Sequence, residues 1–458
     1  MRVFKNKVVR RILSLVLLIC LVIVLDLLME YLLSKVTYAN WFNASVREIE
    51  ASGEDADLVF IGASRTHRTF VPQVFREKLN LTWVLNAGSS GQPVRATYYE
   101  LKDLIERLHP HHVILGVTWD EMRGGTSLQG RLIVYDRLSL KNRLLMIAGG
   151  FDPDEWPYLC ASYRFKDNFN LETIRKNITE KTQLAQLNYK DPEDGPKKHD
   201  YGYDYRYASI QTGNMPIKHT SGGFSTEKVK ERNYNFLSAC VDLCKKNNIE
   251  VTLASGLTSV MRMYAVDNYQ GAVDFYTEFA RERGISYYNL NYLKDRETIL
   301  PDEMMHDLNH VNDDGAFLVS GIFAEILDKA GRGEDVSSYF YANMEEFKKD
   351  VHRIVAVGAQ VTEDTEDADI YHVSAENLQD EDVEVVYRAL IRKPGQENFE
   401  VIQDWTPQSQ MDLHIEEGTG STLRIEAGSK DGTYGFAYQE YTLRAGMSEG
   451  EKPEDEES

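Results

Sequence analysis

Ser64, Asp307 and His310 are the residues of this chain whose types and spacing suit them to do chemistry together. A serine hydroxyl is a weak nucleophile near neutral pH and needs a base to take its proton. Histidine supplies that base, and a carboxylate fixes its tautomer and stabilises the imidazolium. Asp307 and His310 stand three residues apart, so one turn can join carboxylate to ring. Ser64 ends the run Asp57-Leu-Val-Phe-Ile-Gly-Ala-Ser64, in which Leu58 to Ile61 is uninterruptedly apolar. Such a run reads as a strand buried on both faces of a parallel sheet, followed by a tight turn at Gly62. Functional groups of open α/β sheets gather at the carboxyl ends of the strands, which is where Ser64 is expected.

These segments resemble the SGNH or GDSL-type serine hydrolases. The first family block, a strand followed by Gly-x-Ser and a helix opened by proline, is similar to Gly62-Ala-Ser64 followed by Pro72-Gln-Val-Phe-Arg-Glu-Lys-Leu79. The second resembles Val84-Leu-Asn-Ala-Gly-Ser-Ser-Gly91, and the last resembles Asp307-Leu-Asn-His310 with the small-residue helix start after it. The resemblance implies a flavodoxin-like, three-layer α/β fold. It implies Ser64 as nucleophile, His310 as base, Asp307 as its orienting acid, and the N–H groups of Ser64 and Gly91 as the oxyanion hole. Asn86 falls in the same block and is a candidate substrate contact. The third block departs from the pattern. At Val113-Ile-Leu-Gly-Val-Thr-Trp-Asp120, Trp119 stands where the family has an asparagine donor, so Thr118 or the Trp119 indole would have to replace it. Loss of one such donor costs roughly 100- to 1000-fold in rate. Relatives lacking this asparagine include membrane-anchored acyl-transfer proteins of the cell envelope, which points to specialised acyl transfer rather than general ester hydrolysis.

Plainer readings stand beside these. Asp-x-x-His is also the pattern of a helix cap with a surface histidine. Arg65 and Arg68, next to the serine, suit a phosphate or carboxylate of a substrate or, equally, a structural salt bridge. His109-Pro-His-His112 resembles a metal tract but falls at a helix-to-strand junction, so neither metal nor cofactor is expected. Cys240 and Cys244, one helical turn apart, read as packing residues.

Residues 12–33 are overwhelmingly apolar, long enough for a membrane helix of roughly 20 residues. Arg2, Lys5, Lys7, Arg10 and Arg11 precede them, which predicts a cytoplasmic N-terminus and an extracytoplasmic remainder, a single-pass cell-membrane protein. Asp26 and Glu30 interrupt the far end and are expected to meet the interface or a partner helix. A cleaved signal peptide is the rival reading, but Val36-Thr-Tyr-Ala39 matches a cleavage site poorly. The formal net charge is −21, and the part beyond the apolar run is more acidic still. That balance argues against nucleic acid, which demands clustered Lys and Arg. The partners expected are an acylated envelope polysaccharide or teichoic-type polymer and a multi-pass membrane acyltransferase.

Organisation follows from periodicity: a basic segment 1–11, the span 12–33, a linker 34–56, and a hydrolase-like domain 57–330 of alternating strands and helices. Between about 123 and 223 the alternation breaks into an insertion, a length commonly found in lids and binding surfaces. Its aromatic run Tyr201-Gly-Tyr-Asp-Tyr-Arg-Tyr207 suits either stacking on sugars or packing on the core. Residues 345–445 turn to a period of two, as in Val383-Glu-Val-Val-Tyr-Arg-Ala-Leu-Ile391, predicting a β-sandwich that resembles the fibronectin-III-like modules of bacterial surface proteins. The acidic tail 446–458 is expected to be disordered.

Overall fold

The computed structural model describes residues 7–35, 38–124, 127–185, 199–205, 223–294, 296–299, 304–351, 354–379 and 383–447. They form two compact units, Met1–Tyr205 with Val229–Leu253, and Arg206–Lys228 with Ala254–Ser458.

The first unit opens with α1 (Lys7–Leu33), whose stretch Val9–Leu33 reaches a mean hydropathy of 3.1 over its most apolar 18 residues and is long enough to cross a membrane. The segment read as a linker holds a packed helix, α2 (Tyr38–Ser52). Phe42, Val46 and Ile49 recur at helical spacing, so they share one face, and all three are buried. The Arg137 guanidinium lies 4.3 Å over the Phe42 ring.

β1 (Leu58–Ile61) is buried at every residue, as an apolar run without alternation should be. It leads into α3 (Ser64–Thr69) and then α4 (Pro72–Leu79), whose proline sits at the helix start, where a missing N–H costs nothing. β2 (Val84–Asn86), α5 (Val94–Leu108) and β3 (His112–Gly116) follow. β1 pairs in parallel with β2 (Leu58 opposite Val84) and with β3 (Leu58 opposite His112). The histidine tract is spent on this junction: His109 ends α5 in the left-handed conformation with its N–H on Ile105 O, and His112 Nε2 lies 3.0 Å from Thr252 Oγ1.

The insertion is helical over most of its described length: α6 (Leu128–Arg137), α7 (Leu140–Gly150), α8 (Ala161–Arg164) and α9 (Leu171–Ala185). A short ladder of β4 (His199–Asp200) and β5 (Tyr203–Asp204) follows. Tyr203 and Tyr205 are buried, and Tyr201 stands edge-on to Trp83, so these rings of the aromatic run pack. Tyr207 lies outside the described residues.

α10 (Glu231–Lys246) buries Cys240 and Cys244, and burial pushes both thiols up, Cys244 to about 12. β6 (Glu250–Ser255), α11 (Val260–Ala265), α12 (Tyr269–Arg283), β7 (Ser286–Asn289) and α13 (Arg296–Ile299) come next. The five parallel strands lie in the order β2-β1-β3-β6-β7. Counted along the chain this is 2-1-3-4-5, the flavodoxin-like doubly wound order, with its switch point between β1 and β3.

In the second unit, the short strands β8 (Met305–Asp307) and β9 (His310–Val311) make an antiparallel hairpin before α14 (Asp313–Gly331). After α15 (Met344–Asp350) come β10 (Ala356–Glu363), β11 (Ile370–Leu378), β12 (Val385–Arg392), β13 (Glu400–Thr406), β14 (Gln410–His414), β15 (Thr422–Ser429) and β16 (Ala437–Thr442). They form one sheet β10-β11-β14 and another β13-β12-β15-β16. Val357, Tyr371, Val373 and Met411 of the first share a core with Tyr387, Ala389, Leu423 and Ile425 of the second, which makes a β-sandwich. Its exposed Trp405 is covered by Arg388 at 4.6 Å, and Phe399 by Arg424 at 4.0 Å. The expected disordered tail lies almost wholly outside the described residues.

Candidate functional site

Ser64 is the first residue of α3, three residues past the last residue of β1, and half-buried. Two walls hold that turn. On one side, Asn86 at the end of β2 is fully buried. Its Nδ2 lies 3.2, 3.3 and 2.7 Å from the carbonyl oxygens of Thr66, His67 and Phe70, and its Oδ1 accepts from Gly88 N at 2.9 Å. The Asn86 amide is therefore committed to shaping α3 and is not presented to a substrate. The loop after β2 is locked onto the same turn by Ala87 N donating to Phe60 O and Ser89 N to Gly62 O. Gly88 packs so closely that a Cβ there would stand 2.5 Å from His67 N.

The second wall follows β3. Trp119 is buried, and the Arg65 guanidinium lies 3.7 Å over its ring. Arg65 is also 3.6 Å from Asp120 Oδ1, which accepts a 2.5 Å bond from Thr118 Oγ1. The Thr118 hydroxyl is thus turned to Asp120, and Arg65 is tied into a stacked ion pair, the structural alternative foreseen for it. Arg68 is buried on α3. Next in line, Glu121 is pushed up to about 8 by burial and then by the charge of Asp120, against the pull of Arg65 and of hydrogen bonds from Thr118. Ser64 and Thr118 to Glu121 follow the carboxyl ends of β1 and β3, the switch point of the sheet, where ligands of doubly wound sheets bind.

Gly91 is exposed and left-handed at φ +62°, a conformation open to glycine without strain. Its loop is supported from below by a buried network that sequence reasoning missed. Arg137 of α6 donates to Ala87 O (3.0 Å), Gly88 O (3.3 Å) and Glu100 Oε1 (2.9 Å). Gln92 Nε2 donates to Glu100 Oε2 and Ser89 Oγ to Gln92 Oε1, both at 2.8 Å. α6 also abuts the loop, since a Cβ on Gly130 would meet Gly91 O. Nothing in the local sequence around Arg137 marks this role, because its partners come from distant segments.

In the second unit, Asp307 and His310 are cross-strand partners in the hairpin. His310 Nδ1 lies 2.7 Å from Asp307 Oδ2 and 2.8 Å from Oδ1. Burial would raise the Asp307 carboxyl, but the hydrogen bond and charge of His310, with the Asn309 N–H, hold it below the ordinary carboxylate value. The turn itself is pinned through Leu308 O, which accepts from Thr258 Oγ1 (2.7 Å) and Ser259 N (3.0 Å). Asn312 then caps α14 by accepting from Gly315 N. With Nδ1 engaged by the carboxylate, Nε2 is the other nitrogen of the ring.

No protein-family profile and no curated protein matches this chain. Among solved structures it is similar to a GDSL-like lipase from Bacteroides thetaiotaomicron VPI-5482, at 13% identity over 64% of this chain and 100% of that one, TM-score 0.30. It is similar to a G-D-S-L family protein from Desulfitobacterium hafniense DCB-2, at 12% identity over 59% and 99%, TM-score 0.29. A gut microbial diltiazem-metabolizing enzyme matches at 11% identity over 78% of this chain and 70% of that one, TM-score 0.29. Overlaps this loose place no residue, and the site stands on the chain's own geometry.

Proposed function

We propose that the chain is a membrane-anchored, extracytoplasmic serine esterase or O-acyltransferase of the SGNH type, acting on acyl esters, acetyl above all, of a cell-envelope polysaccharide or teichoic-type polymer. The observation that carries the reading is the Asp307–His310 pair, a carboxylate held ionised against Nδ1, together with a serine built into the turn at the switch point of a doubly wound sheet. In this scheme Ser64 Oγ attacks the ester carbonyl while its proton passes to His310 Nε2. The Ser64 and Gly91 N–H groups receive the oxyanion, and the tetrahedral species collapses as the alcohol leaves with the proton from His310. Water or a sugar hydroxyl then resolves the acyl-enzyme, its proton again taken by His310. The apolar helix α1 supports the anchor, and a multi-pass acyltransferase is the partner that would deliver acyl groups across the membrane. The three-plus-four strand order of the sandwich supports a fibronectin-III-like binding or spacing module.

A second reading, a catalytically weak scaffold that binds glycan or the partner acyltransferase, is favoured by the ends of Thr118 and Trp119. The one is turned to Asp120 and the other is buried beneath Arg65. The full chain in detergent, treated with a serine-directed fluorophosphonate and mapped by mass spectrometry, separates the two. Adduct on Ser64 with release of acetate from an O-acetylated glycan is the expected result. Adduct elsewhere, or none on any ester, removes the esterase reading.

A further inference from the structure

The end of α1 is held by the insertion, side chain by side chain. Asp26 Oδ2 accepts from Ala161 N at 3.1 Å and Oδ1 from Ser162 N at 3.2 Å, where α8 begins. Glu30 faces Arg143 of α7 and Arg164 of α8, each at 3.7 Å, and Arg164 is itself paired with Asp136 of α6 at 2.9 Å. The last carbonyls of a helix have no partner within it. Here Asn177 donates to Leu32 O, Asn168 to Leu33 O, and Lys181 to Tyr31 O at 2.7 Å and Ser34 O at 2.6 Å. An ammonium at this end also suits the helix dipole. The two acids that interrupt the apolar run are thereby explained, since both are ligands of the insertion.

The grip extends from Asp26 to Ser34, about 12 Å along the axis at 1.5 Å per residue. The uninterrupted run before it, Ile12 to Leu25, measures only about 21 Å, against roughly 30 Å of hydrocarbon in a bilayer. α1 therefore spans only if its gripped end, with the elements that grip it, lies at least partly within the leaflet. Those elements present the side chains such a depth requires. Leu140 and Leu144 flank Arg143 on α7 and are 70% and 61% exposed. Tyr163 and Phe169 bracket Arg164 and Asn168, Leu171 starts α9, and Trp156 stands in the turn before α8; all four are exposed, Leu171 at 86%. Single exposed apolar residues are ordinary, but a set of this size on the segments that bind one apolar helix marks a surface with an occupant.

We propose that α7 to α9 form a membrane-interface collar around α1, with Trp156 and Tyr163 at headgroup level and Leu140, Leu144, Phe169 and Leu171 among the acyl chains. Aromatic rings with a polar tip favour that level and aliphatic side chains the depth below it. Lipid is the occupant because α8 and α9 pack directly on α1, whose apolar length a bilayer covers when it serves as the anchor. The inference rests on reading α1 as an anchor, and it removes this face of the insertion from the solvent-facing surfaces open to a glycan.

The test uses the full chain reconstituted in vesicles of phosphatidylcholine and phosphatidylglycerol whose acyl chains are brominated near the headgroup. Trp156 emission is taken as the difference between wild type and Trp156→Phe, and a second reporter is Phe169→Trp in that background. The collar predicts that both are quenched by brominated lipid and protected from aqueous acrylamide. Retention in the membrane after alkaline carbonate, with both reporters quenched by acrylamide and untouched by bromine, overturns the collar and leaves the anchor. Release by carbonate overturns the anchor and the collar with it.

Discussion

Around Ser64 the chain is held by a buried amide, by backbone bonds and by glycines packed against backbone, whereas around His310 it is shaped by a short hairpin pinned at Leu308 O and by the ion pair with Asp307. Asn86 reaches two carbonyls of α3 and that of Phe70 at its end. The Asp307 and His310 side chains are 37% and 20% exposed, and the charged carboxylate of Asp307 engages the ring at Nδ1. The contrast teaches that the two halves of the candidate machinery should fail differently: the nucleophile side by loss of shape, the base side by loss of ionisation.

The largest effect expected on this contrast comes from Ser64→Ala, which should abolish ester turnover and fluorophosphonate labelling while leaving the melting temperature unchanged. Next is Asp307→Asn, expected to lower kcat by about 10⁴-fold through the wrong imidazole tautomer, again with little change in fold. Its effect also has a sign in pH. A carboxyl held below its ordinary value stabilises the fold above the usual carboxylate range, and that contribution is lost as pH falls through the depressed value. The stability difference between wild type and Asp307→Asn should thus be flat from neutral pH down to that range and vanish below it.

On the serine side, Asn86→Ala should behave in the opposite way. It removes the amide that Gly88 N–H donates to and that reaches the carbonyls of Thr66, His67 and Phe70, and a buried polar group that loses its partner costs about 1–3 kcal/mol. The denaturant midpoint should drop by an amount equivalent to about 3 kcal/mol, with activity lost as a consequence. An unchanged midpoint would mean that α3 holds its shape unaided. Smallest is Glu121→Gln. With its carboxyl at about 8 in the fold against 4.5 unfolded, the wild type should lose stability as pH rises between those values, because the fold binds the extra proton. The glutamine variant should show a flatter melting curve across that window.

The same contrast governs what could be read from the sequence. Asp307 and His310 were legible because their separation along the chain is also their separation in the hairpin. The sheet was legible for a similar reason: Leu58 to Ile61, Val113 to Leu115 and Val251 to Ala254 are short apolar runs whose neighbours do not alter their state. α3 was not, since Ser64 to Thr69 has no helical pattern of its own and takes its form from Asn86. Arg137 was invisible as a support of the Gly91 loop because Ala87, Gly88 and Glu100 all reach it from elsewhere in the chain. α2 reads as linker from sequence because its buried residues, Ala39, Phe42, Val46 and Ile49, are spread thinly among polar ones, and only packing reveals the stripe.

Under the proposed function, the closure of the α1 terminus by Lys181, Asn168 and Asn177 limits how far Ser64 can reach. A domain on a flexible tether of n residues wanders by about 5–6 Å × √n and samples substrate through a volume. Under that same proposed function, a domain clamped to its post would work at one height, and the polymer would supply the motion, bending its acylated units down to a stationary serine. Chain length and stiffness of the polymer, rather than looseness of the protein, would then decide which units are reached.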